Sequence, residues 1–249
     1  MRTRADVAAP ETLSALSSSQ SGFVTQRRAG TGACHDRHGG ASRSLIPFIA
    51  RYAHNGPMTD HVIKPLTLDT FPAWLALAEK HNGVWGGCYC SYFHGDTADT
   101  VKREYDGPTF KRRLVEEGVA HAALVFDGDQ AIAWCEYGSP LELPNIYHRK
   151  QFDAEESHQA PWRITCFFVD RDHRRGGVAT EALHGALDLI AQAGGGEVVS
   201  FPNVVEPGKR VSASFLHNVT PGIFEAAGFT FERRIGKNKT VMRKVVAPA

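Results

Sequence analysis

The stretch Trp162-Arg-Ile-Thr-Cys-Phe-Phe-Val-Asp-Arg-Asp-His-Arg-Arg-Gly-Gly-Val-Ala179 decides the fold of this 249-residue chain. It begins with a nearly continuous apolar and aromatic run, which predicts a strand buried on both faces in the middle of a sheet. A short basic and glycine-rich turn follows at 174–177. That turn leads into a helix whose inner face is marked by Ala179, Leu183, Leu187 and Ile190.

The turn has the features of an anion site. Free backbone N–H groups stand at the positive end of the following helix. Gly176 and Gly177 let a phosphate approach those amides, and Arg174 and Arg175 add charge that a pyrophosphate can pair with. The phosphate loop of nucleotide triphosphatases needs a Lys and a hydroxyl after its last glycine, and the dinucleotide fingerprint needs three spaced glycines. Neither pattern is met, so the turn predicts a diphosphate site of another kind.

The order of the other elements predicts a mixed α/β layer with helices on both faces. A strand over 61–68 leads into a helix with Asp69 as its N-cap, and a Trp/Gly/Cys-rich structured loop follows over 84–93. The further elements expected are a helix over 99–117, a hairpin over 120–126 and 130–137, a surface excursion over 141–160, a strand over 197–201, a helix over 215–227 and a closing hairpin over 229–235 and 240–245.

The first 57 residues differ in composition from the rest. They hold seven Arg, no Lys, three acids and three aromatics, which gives this leader a charge of +4. With so few aromatic residues, this leader cannot bury enough surface to offset the conformational entropy that it would lose on folding. We therefore expect a disordered leader followed by one domain over 58–249. Met58 is a candidate true start, and an organellar transit peptide is the alternative interpretation of the leader.

The overall composition excludes several classes of function. Lys and Arg total 28 against 27 acids, so the net charge of +1 gives no general case for nucleic-acid or acidic-membrane binding. No apolar run approaches the ~20 residues that span a bilayer. Five cysteines are an odd and modest count, which favours a reduced, cytoplasmic protein.

Arg174, Gly177 and Ala179 match the R-x-x-G-x-A form of the pyrophosphate loop of the GNAT acetyltransferase superfamily. The chain also resembles that superfamily in its order of strands and helices from His61 to Val246, and in the run Phe224-Glu-Ala-Ala-Gly-Phe229 before the final hairpin. The loop Trp85-Gly-Gly-Cys-Tyr-Cys90 resembles that of a bacterial branch with no settled substrate.

The resemblance implies a mixed, mostly antiparallel sheet with helices on both faces and a fourth strand that parts from the fifth. Acetyl-coenzyme A would lie in that cleft as co-substrate. Its pantetheine amides would pair with backbone at Phe167, Phe168 and Val169, and its diphosphate would rest on Arg174, Arg175, Gly176, Gly177, Val178, Ala179 and Thr180. Asn218 and Phe224 are further cofactor contacts expected, with a helix cap as the alternative role of Asn218.

In such a site the acceptor amine attacks the thioester directly, and no metal is required. The superfamily often protonates the departing thiolate with a Tyr, but Phe224 stands at the matching place. Tyr89, Tyr92, Ser212 and Ser214 are the candidate substitutes. The usual acidic position on the fourth strand matches Arg163, which leaves Glu136 on the third strand as the candidate general base.

Several of these residues also have a purely structural interpretation. Cys88, Cys90 and His94 supply three zinc-type ligands but no second cysteine pair, so packing is favoured over a metal site. Cys135 and Cys166 fall inside strands, where a free thiol behaves as a small buried hydrophobe. The aromatic residues around Gly86 and Gly87 are expected to form either core or the wall of an acceptor site.

These observations predict an acetyl-coenzyme A-dependent N-acetyltransferase that acts on a primary amine of a small molecule or a protein. The alternative is a catalytically idle module that binds acetyl-coenzyme A, since Phe224 carries no proton to donate. Nucleic-acid binding through the basic leader is a third hypothesis. We expect neither a nucleic acid nor a membrane as partner, and a homodimer is left open.

Overall fold

The computed structural model of this protein describes residues 61–95 and 106–249. The predicted leader over 1–57 and the alternative start at Met58 lie outside these residues. The first part of the helix predicted over 99–117 also lies outside them.

Seven strands and five helices make up the described part of the chain. The strands are β1 (Val62–Pro65), β2 (His121–Asp127), β3 (Gln130–Gly138), β4 (Trp162–Val169), β5 (Gly196–Ser200), β6 (Thr230–Ile235) and β7 (Lys239–Val246). The helices are α1 (Phe71–Lys80), α2 (Gly107–Glu116), α3 (Arg149–Glu155), α4 (Val178–Gln192) and α5 (Pro221–Ala226). Short 3-10 turns, Arg171–His173 and Phe215–Asn218, precede α4 and α5.

The strands form a single sheet in the order β1-β2-β3-β4-β5-β7-β6. Neighbouring strands run antiparallel, except that β4 and β5 are parallel. β4 pairs with β5 over residues 162–164 only, whereas its pairing with β3 continues to Val169. The two parallel strands therefore part after Ile164, and the rest of β4 has a strand partner on one side alone. The predicted mixed, mostly antiparallel sheet with a parted fourth and fifth strand is confirmed.

β4 lies in the middle of the sheet and is buried on both faces, as its sequence predicts. Phe167 packs in a core cluster that includes Leu183 of α4 and Phe224 of α5. Phe168 belongs to the other cluster, which includes Trp74 of α1. Because consecutive strand residues point to opposite faces, these two phenylalanines hold helices against both sides of the sheet.

The N-cap of α1 is Thr70 and not Asp69, so that prediction is wrong by one residue. The Thr70 hydroxyl does not cap the helix; Oγ1 donates to the Pro65 carbonyl at 2.8 Å and accepts from the Thr67 N–H at 2.8 Å. A local side-chain turn after β1 thus replaces a cap. Pro72 in the first helical turn has no N–H that a cap would need to satisfy.

The segment 141–160 is not simply a surface excursion. It contains α3, and Leu143, Ile146 and Phe152 are buried. Phe152 packs edge-to-face on Phe201, with ring centroids 5.1 Å apart. Part of this segment is therefore a short helix that Phe152 joins to the core.

The helix predicted over 215–227 is two pieces. Val219, between them, has a left-handed backbone with φ 47°, which a continuous helix cannot contain. Pro221 then opens α5 at the first helical position, where its missing N–H costs nothing.

In the described residues, no helix is both long enough and apolar enough to cross a membrane.

Phe224→Ala is expected to lower the free energy of unfolding by about 3–5 kcal/mol, because it empties a site that is 1% exposed. The Phe224 ring meets Phe229 and Phe167 edge-on, with centroids 4.9 and 5.9 Å away. The matched control is Phe231→Ala on the edge strand β6, where the side chain is 56% exposed and the expected change is about 0.5 kcal/mol. Urea unfolding measures both, and equal losses would contradict the packing described.

Candidate active site

The turn between β4 and α4 offers backbone donors with no acceptor among the described residues. The N–H groups concerned are those of Arg175, Gly176, Gly177, Val178 and Ala179. The next N–H, of Thr180, is already bonded to the Gly177 carbonyl at 2.8 Å. These free donors stand at the start of a 15-residue helix, whose dipole adds partial positive charge.

The turn is open to solvent and basic. Gly177 has φ 84°, and a Cβ built there would meet no atom within 4 Å. Arg174 and Arg175 are both exposed, and Nε of Arg174 donates to the Val169 carbonyl at 3.2 Å. An anion can therefore reach the amides with two guanidinium groups beside it.

Asp170 fixes the link between β4 and this turn. Its buried carboxylate accepts hydrogen bonds from Lys80 Nζ at 2.6 Å, from a ring nitrogen of His81 at 3.1 Å and from the Asp172 N–H at 3.2 Å. Burial raises the pKa of Asp170, but these donors outweigh it and bring the pKa to about 2. The ionised carboxylate thus ties the start of the turn to the end of α1.

The other residues predicted to hold a cofactor are mainly core residues. The side chains of Phe167, Phe168 and Phe224 are buried, so the two β4 residues can offer a ligand only their backbone. Asn218 is also buried; its Nδ2 donates to the Phe201 carbonyl at 2.9 Å, and its Oδ1 has no partner among the described residues. Residues 174–177 therefore form an exposed turn, whereas Val178 is buried at the start of α4 and Ala179 and Thr180 are half-buried after it. Phe224 packs against Phe167 of β4.

A cavity of about 740 Å³ lies on the sheet beside the point where β4 and β5 part. Its walls come from the loop after α1, from β4, from the segment after β5 and from the turn between β6 and β7. The lining residues include Trp85, Cys88, Ser91, Tyr92, Phe93, Tyr147, Cys166, Asn203, Ser212, Ser214, Phe215, His217, Lys237 and Lys239. Its size is typical of small-molecule sites.

Lys239 is a buried cation that lines this cavity. Its Nζ donates to Asn203 Oδ1 at 2.9 Å and to the Phe201 carbonyl at 3.3 Å, and it lies 5.0 Å from the centre of the Tyr147 ring. Burial lowers the pKa of Lys239 to about 8, so Lys239 is protonated in most molecules at pH 7. Because lysine only donates, Asn203 must turn its Oδ1 to Lys239, which leaves the buried Nδ2 without a partner among the described residues.

His217 contributes a neutral ring to the same cavity. Its Nδ1 lies 2.8 Å from the Ser214 carbonyl, which can only accept, so Nδ1 carries the proton. Burial, with the nearby charge of Lys239, lowers the pKa of His217 to about 4. Nε2 therefore keeps a lone pair at neutral pH, and it has no hydrogen-bond partner among the described residues.

The cavity wall between α1 and α2 has a strained backbone. Val84, Trp85, Tyr89 and Cys90 all have positive φ, between 45° and 58°. Such a conformation costs about 1–3 kcal/mol for a residue with a branched side chain. The loop keeps it because Val84 and Cys90 are 1% exposed in the core cluster beneath.

The predicted base Glu136 does not line the cavity. Its buried carboxylate accepts from Lys111 Nζ at 2.7 Å and from Thr165 Oγ1 at 2.9 Å. Burial raises the pKa of Glu136, but the charge of Lys111 and its hydrogen bond outweigh burial and bring the pKa to about 2. The role of Glu136 as general base stays a prediction. Its observed contacts join α2, β3 and β4.

His94 and Lys111 tie the cavity wall to this carboxylate. Nδ1 of His94 donates to the Glu142 carbonyl at 3.1 Å, and Nε2 accepts from Lys111 Nζ at 3.0 Å. Burial and the charge of Lys111 lower the pKa of His94, which agrees with a neutral ring. Lys111 also donates to the Cys90 carbonyl at 3.2 Å, so one buried lysine holds the second half of the loop.

Three of the four cysteines in the described residues are buried, whereas Cys88 is half-buried in the cavity wall. Cys135 and Cys166 are buried in their strands, as predicted, and Cys166 Sγ lies 3.1 Å from Cys90 Sγ. Within 61–95 and 106–249, no group of three or more His, Cys, Asp or Glu side chains is placed to hold a metal ion. His94 is engaged by Lys111 and not by Cys88 or Cys90.

Of the residues predicted to protonate the leaving thiolate, some line the cavity and one lies in the core. Tyr92, Ser212 and Ser214 line the cavity, whereas Tyr89 does not and packs 6.4 Å from Trp74. Sequence reasoning missed Tyr147, which stacks on Tyr92 with ring centroids 5.0 Å apart. It also missed Lys239, which stands between Asn238 and Thr240 and has no signal of burial in the sequence.

No protein-family model matches the sequence, and no curated protein does. Solved structures do align with it over most of their length. The ribosomal-protein-S18-alanine N-acetyltransferase from Escherichia coli is 14% identical with a TM-score of 0.40, and the alignment covers 76% of this chain and 96% of that one.

The ribosomal-protein-S5-alanine acetyltransferase from Vibrio fischeri is 10% identical with a TM-score of 0.44, covering 80% of this chain and 97% of that one. The GNAT domain of S. lividans PAT is 15% identical with a TM-score of 0.40, covering 74% and 90%. Sequence identities and TM-scores this low do not support an assignment of activity or of fold. The fold is therefore assigned from the topology of the chain itself.

That topology is a seven-stranded, mostly antiparallel sheet with helices on both faces, in which the parallel pair β4 and β5 parts next to a glycine-rich turn before α4. By these features the described part of the chain has the fold of the GNAT acetyltransferase superfamily.

Proposed function

We propose that this protein is an N-acetyltransferase that uses acetyl-coenzyme A and acetylates a primary amine. The observation that carries the proposal is the set of free amides in the turn after β4, next to a strand edge that β5 leaves unpaired after Ile164. An acyl carrier with amide groups in its arm and a diphosphate beyond them fits both features. The turn suits the diphosphate, and the unpaired edge suits the amide groups.

The residues present suit the expected co-substrate. Arg174 and Arg175 supply charge beside the free amides, and Gly176 and Gly177 leave the turn open. When bound, acetyl-coenzyme A supplies an activated acetyl thioester. The backbone of β4 beyond Ile164 then orients the acyl arm toward the cavity, where Cys166 forms part of the wall.

The cavity is the proposed acceptor site. Aromatic rings enclose it, and burial raises the pKa of the Tyr147 phenol to about 12, so its hydroxyl keeps a proton to donate at neutral pH. His217 Nε2 and the hydroxyls of Ser212 and Ser214 are further polar groups on the lining residues. The site therefore holds donors for a leaving thiolate although Phe224 cannot act.

A second candidate function is an idle module that binds acetyl-coenzyme A without turnover. Two observations favour it: Phe224 lacks a hydroxyl, and Glu136 is paired, with a pKa near 2. Calorimetric titration with acetyl-coenzyme A, dephospho-coenzyme A and ATP tests the cofactor. Thiol release with a panel of amines then separates enzyme from module. Tight binding of ATP alone would overturn both candidates.

Gly176→Glu is expected to weaken acetyl-coenzyme A binding about 100-fold, because it places a carboxylate among the amides that would hold the diphosphate. A Cβ at this position meets only the His173 carbonyl oxygen at 3.7 Å and Val178 Cγ2 at 4.0 Å, so the fold tolerates the change. Gly176→Ala is the control and should lose about tenfold or less. Calorimetry measures the affinity, and unchanged binding by the Glu variant would refute the proposed diphosphate site.

Lys111→Met is expected to lower the free energy of unfolding by about 3–5 kcal/mol, because Glu136 is left charged and buried without its cation. Arg112→Met is the control on the same helix; its pair with Glu116 is exposed and should contribute about 0.5 kcal/mol. The double variant Lys111→Met/Glu136→Met leaves no unpaired charge and should recover most of the loss in urea unfolding.

The same double variant tests the predicted base. A thiol-release rate within about tenfold of the wild type would show that Glu136 only positions the cavity wall. A loss of about 100-fold to 10,000-fold at recovered stability, well beyond the loss in Lys111→Met alone, would assign the base to Glu136.

A further inference from the structure

The charge of the cavity restricts the amine it can accept. Among the described residues that line the cavity there is no Asp or Glu, but there are two lysines, Lys237 and Lys239. Lys237 is exposed at the rim and Lys239 is buried in the wall. A polyamine or another acceptor with additional positive charge would meet like charge, with no compensating carboxylate among the described lining residues.

The cavity also has buried hydrogen-bond donors without acceptors. Seven buried side-chain N or O atoms lack a partner among the described residues, and four of them belong to cavity-lining residues. Three of these four, Trp85 Nε1, Ser91 Oγ and Asn203 Nδ2, can donate. These atoms have almost no accessible surface, so a ligand reaches them only when their side chains turn toward the cavity. An oxygen-rich ligand would then supply the acceptors that these buried donors lack.

Lys239 can bind such a ligand with the charge it already carries. Its ammonium has three protons, and the described contacts to Asn203 and Phe201 use two. The partnerless Nδ2 of Asn203 lies on the same amide that accepts from Lys239. One cation and one amide donor thus stand together in the wall, an arrangement that suits the two oxygens of a carboxylate.

Another part of the wall is aromatic. Tyr92 and Tyr147 are stacked, and Phe93 meets the Tyr92 ring edge-on with centroids 5.1 Å apart. Such a wall suits an apolar or aromatic body between the anionic group and the amine.

We infer that the acceptor is a small amine that also carries an anionic oxygen group, which pairs with Lys239 and Asn203 while its apolar body packs on the Tyr92 and Tyr147 wall. This inference rests on the proposed function and names its substrate class. An aromatic amino acid has this chemistry, whereas a polyamine and an unmodified lysine side chain do not.

The first test uses the wild-type protein and pairs of amines that differ only in the anionic group. Thiol release is measured with phenylalanine, phenylalaninamide, 2-phenylethylamine and the phosphonate analogue of phenylalanine. We expect kcat/KM to be about 10-fold to 100-fold higher for the two anionic amines, as for a charge-assisted contact. The ratio between carboxylate and phosphonate tells which anion the site prefers. Equal or higher values for the uncharged analogues would overturn the inference and leave the acetyltransferase proposal standing.

The second test needs no turnover. Calorimetry compares 3-phenylpropionate with 3-phenylpropionamide, neither of which can be acetylated. Preferential binding of the carboxylate by about tenfold or more supports the inference even if no amine is turned over. Equal binding of the two contradicts it.

The third test removes the cation. Lys239→Met should abolish the preference for 3-phenylpropionate, whereas Lys244→Met, farther along β7 and outside this cavity, should keep it. Thermal melting checks that both variants fold, and Lys239→Gln replaces Lys239→Met if the latter does not. A folded variant at 239 that still prefers the carboxylate would overturn the assignment of Lys239.

Discussion

The short pairing of β4 with β5 is the constraint on which the rest of the site depends. A strand in the middle of a sheet normally has neighbours along both edges, but β4 loses β5 after Ile164. Its backbone N–H and C=O groups on that side must find other partners. The sheet nevertheless stays intact, because β3 pairs with β4 to Val169 and large side chains cover both faces. A rigid strand with one unpaired edge is a suitable support for an extended ligand that contains amides.

The sequence predicts this central part well, since its signals are local and strong. An apolar run followed by two arginines and two glycines gives β4, the turn and α4 within one continuous stretch. The hairpin between β2 and β3 is equally local, with Asp127-Gly128-Asp129 at its turn. In each case neighbouring residues carry the whole pattern, so no knowledge of distant contacts is required.

The cavity could not be predicted in the same way. Tyr92, Tyr147, His217 and Lys239 come from separate segments, and only the folded chain brings them together. Lys111 looks like one more charge on a polar helix, yet it is 1% exposed and bonded to Glu136. The helix α3 was missed for a related reason: its apolar residues face a core that the sequence of the segment alone does not show. Nonlocal burial decides these residues, and it overrides composition.

The left-handed backbone of the loop after α1 has a consequence for recognition. Val84 and Trp85 keep an unfavourable conformation because both pack on the core beneath, while Lys111 holds the loop farther along at Cys90. A wall held in this way is already formed before a guest arrives, so entry of the guest requires little additional ordering of the chain. The site would then discriminate between ligands by their shape, because a ligand that does not fit would have to deform a rigid wall.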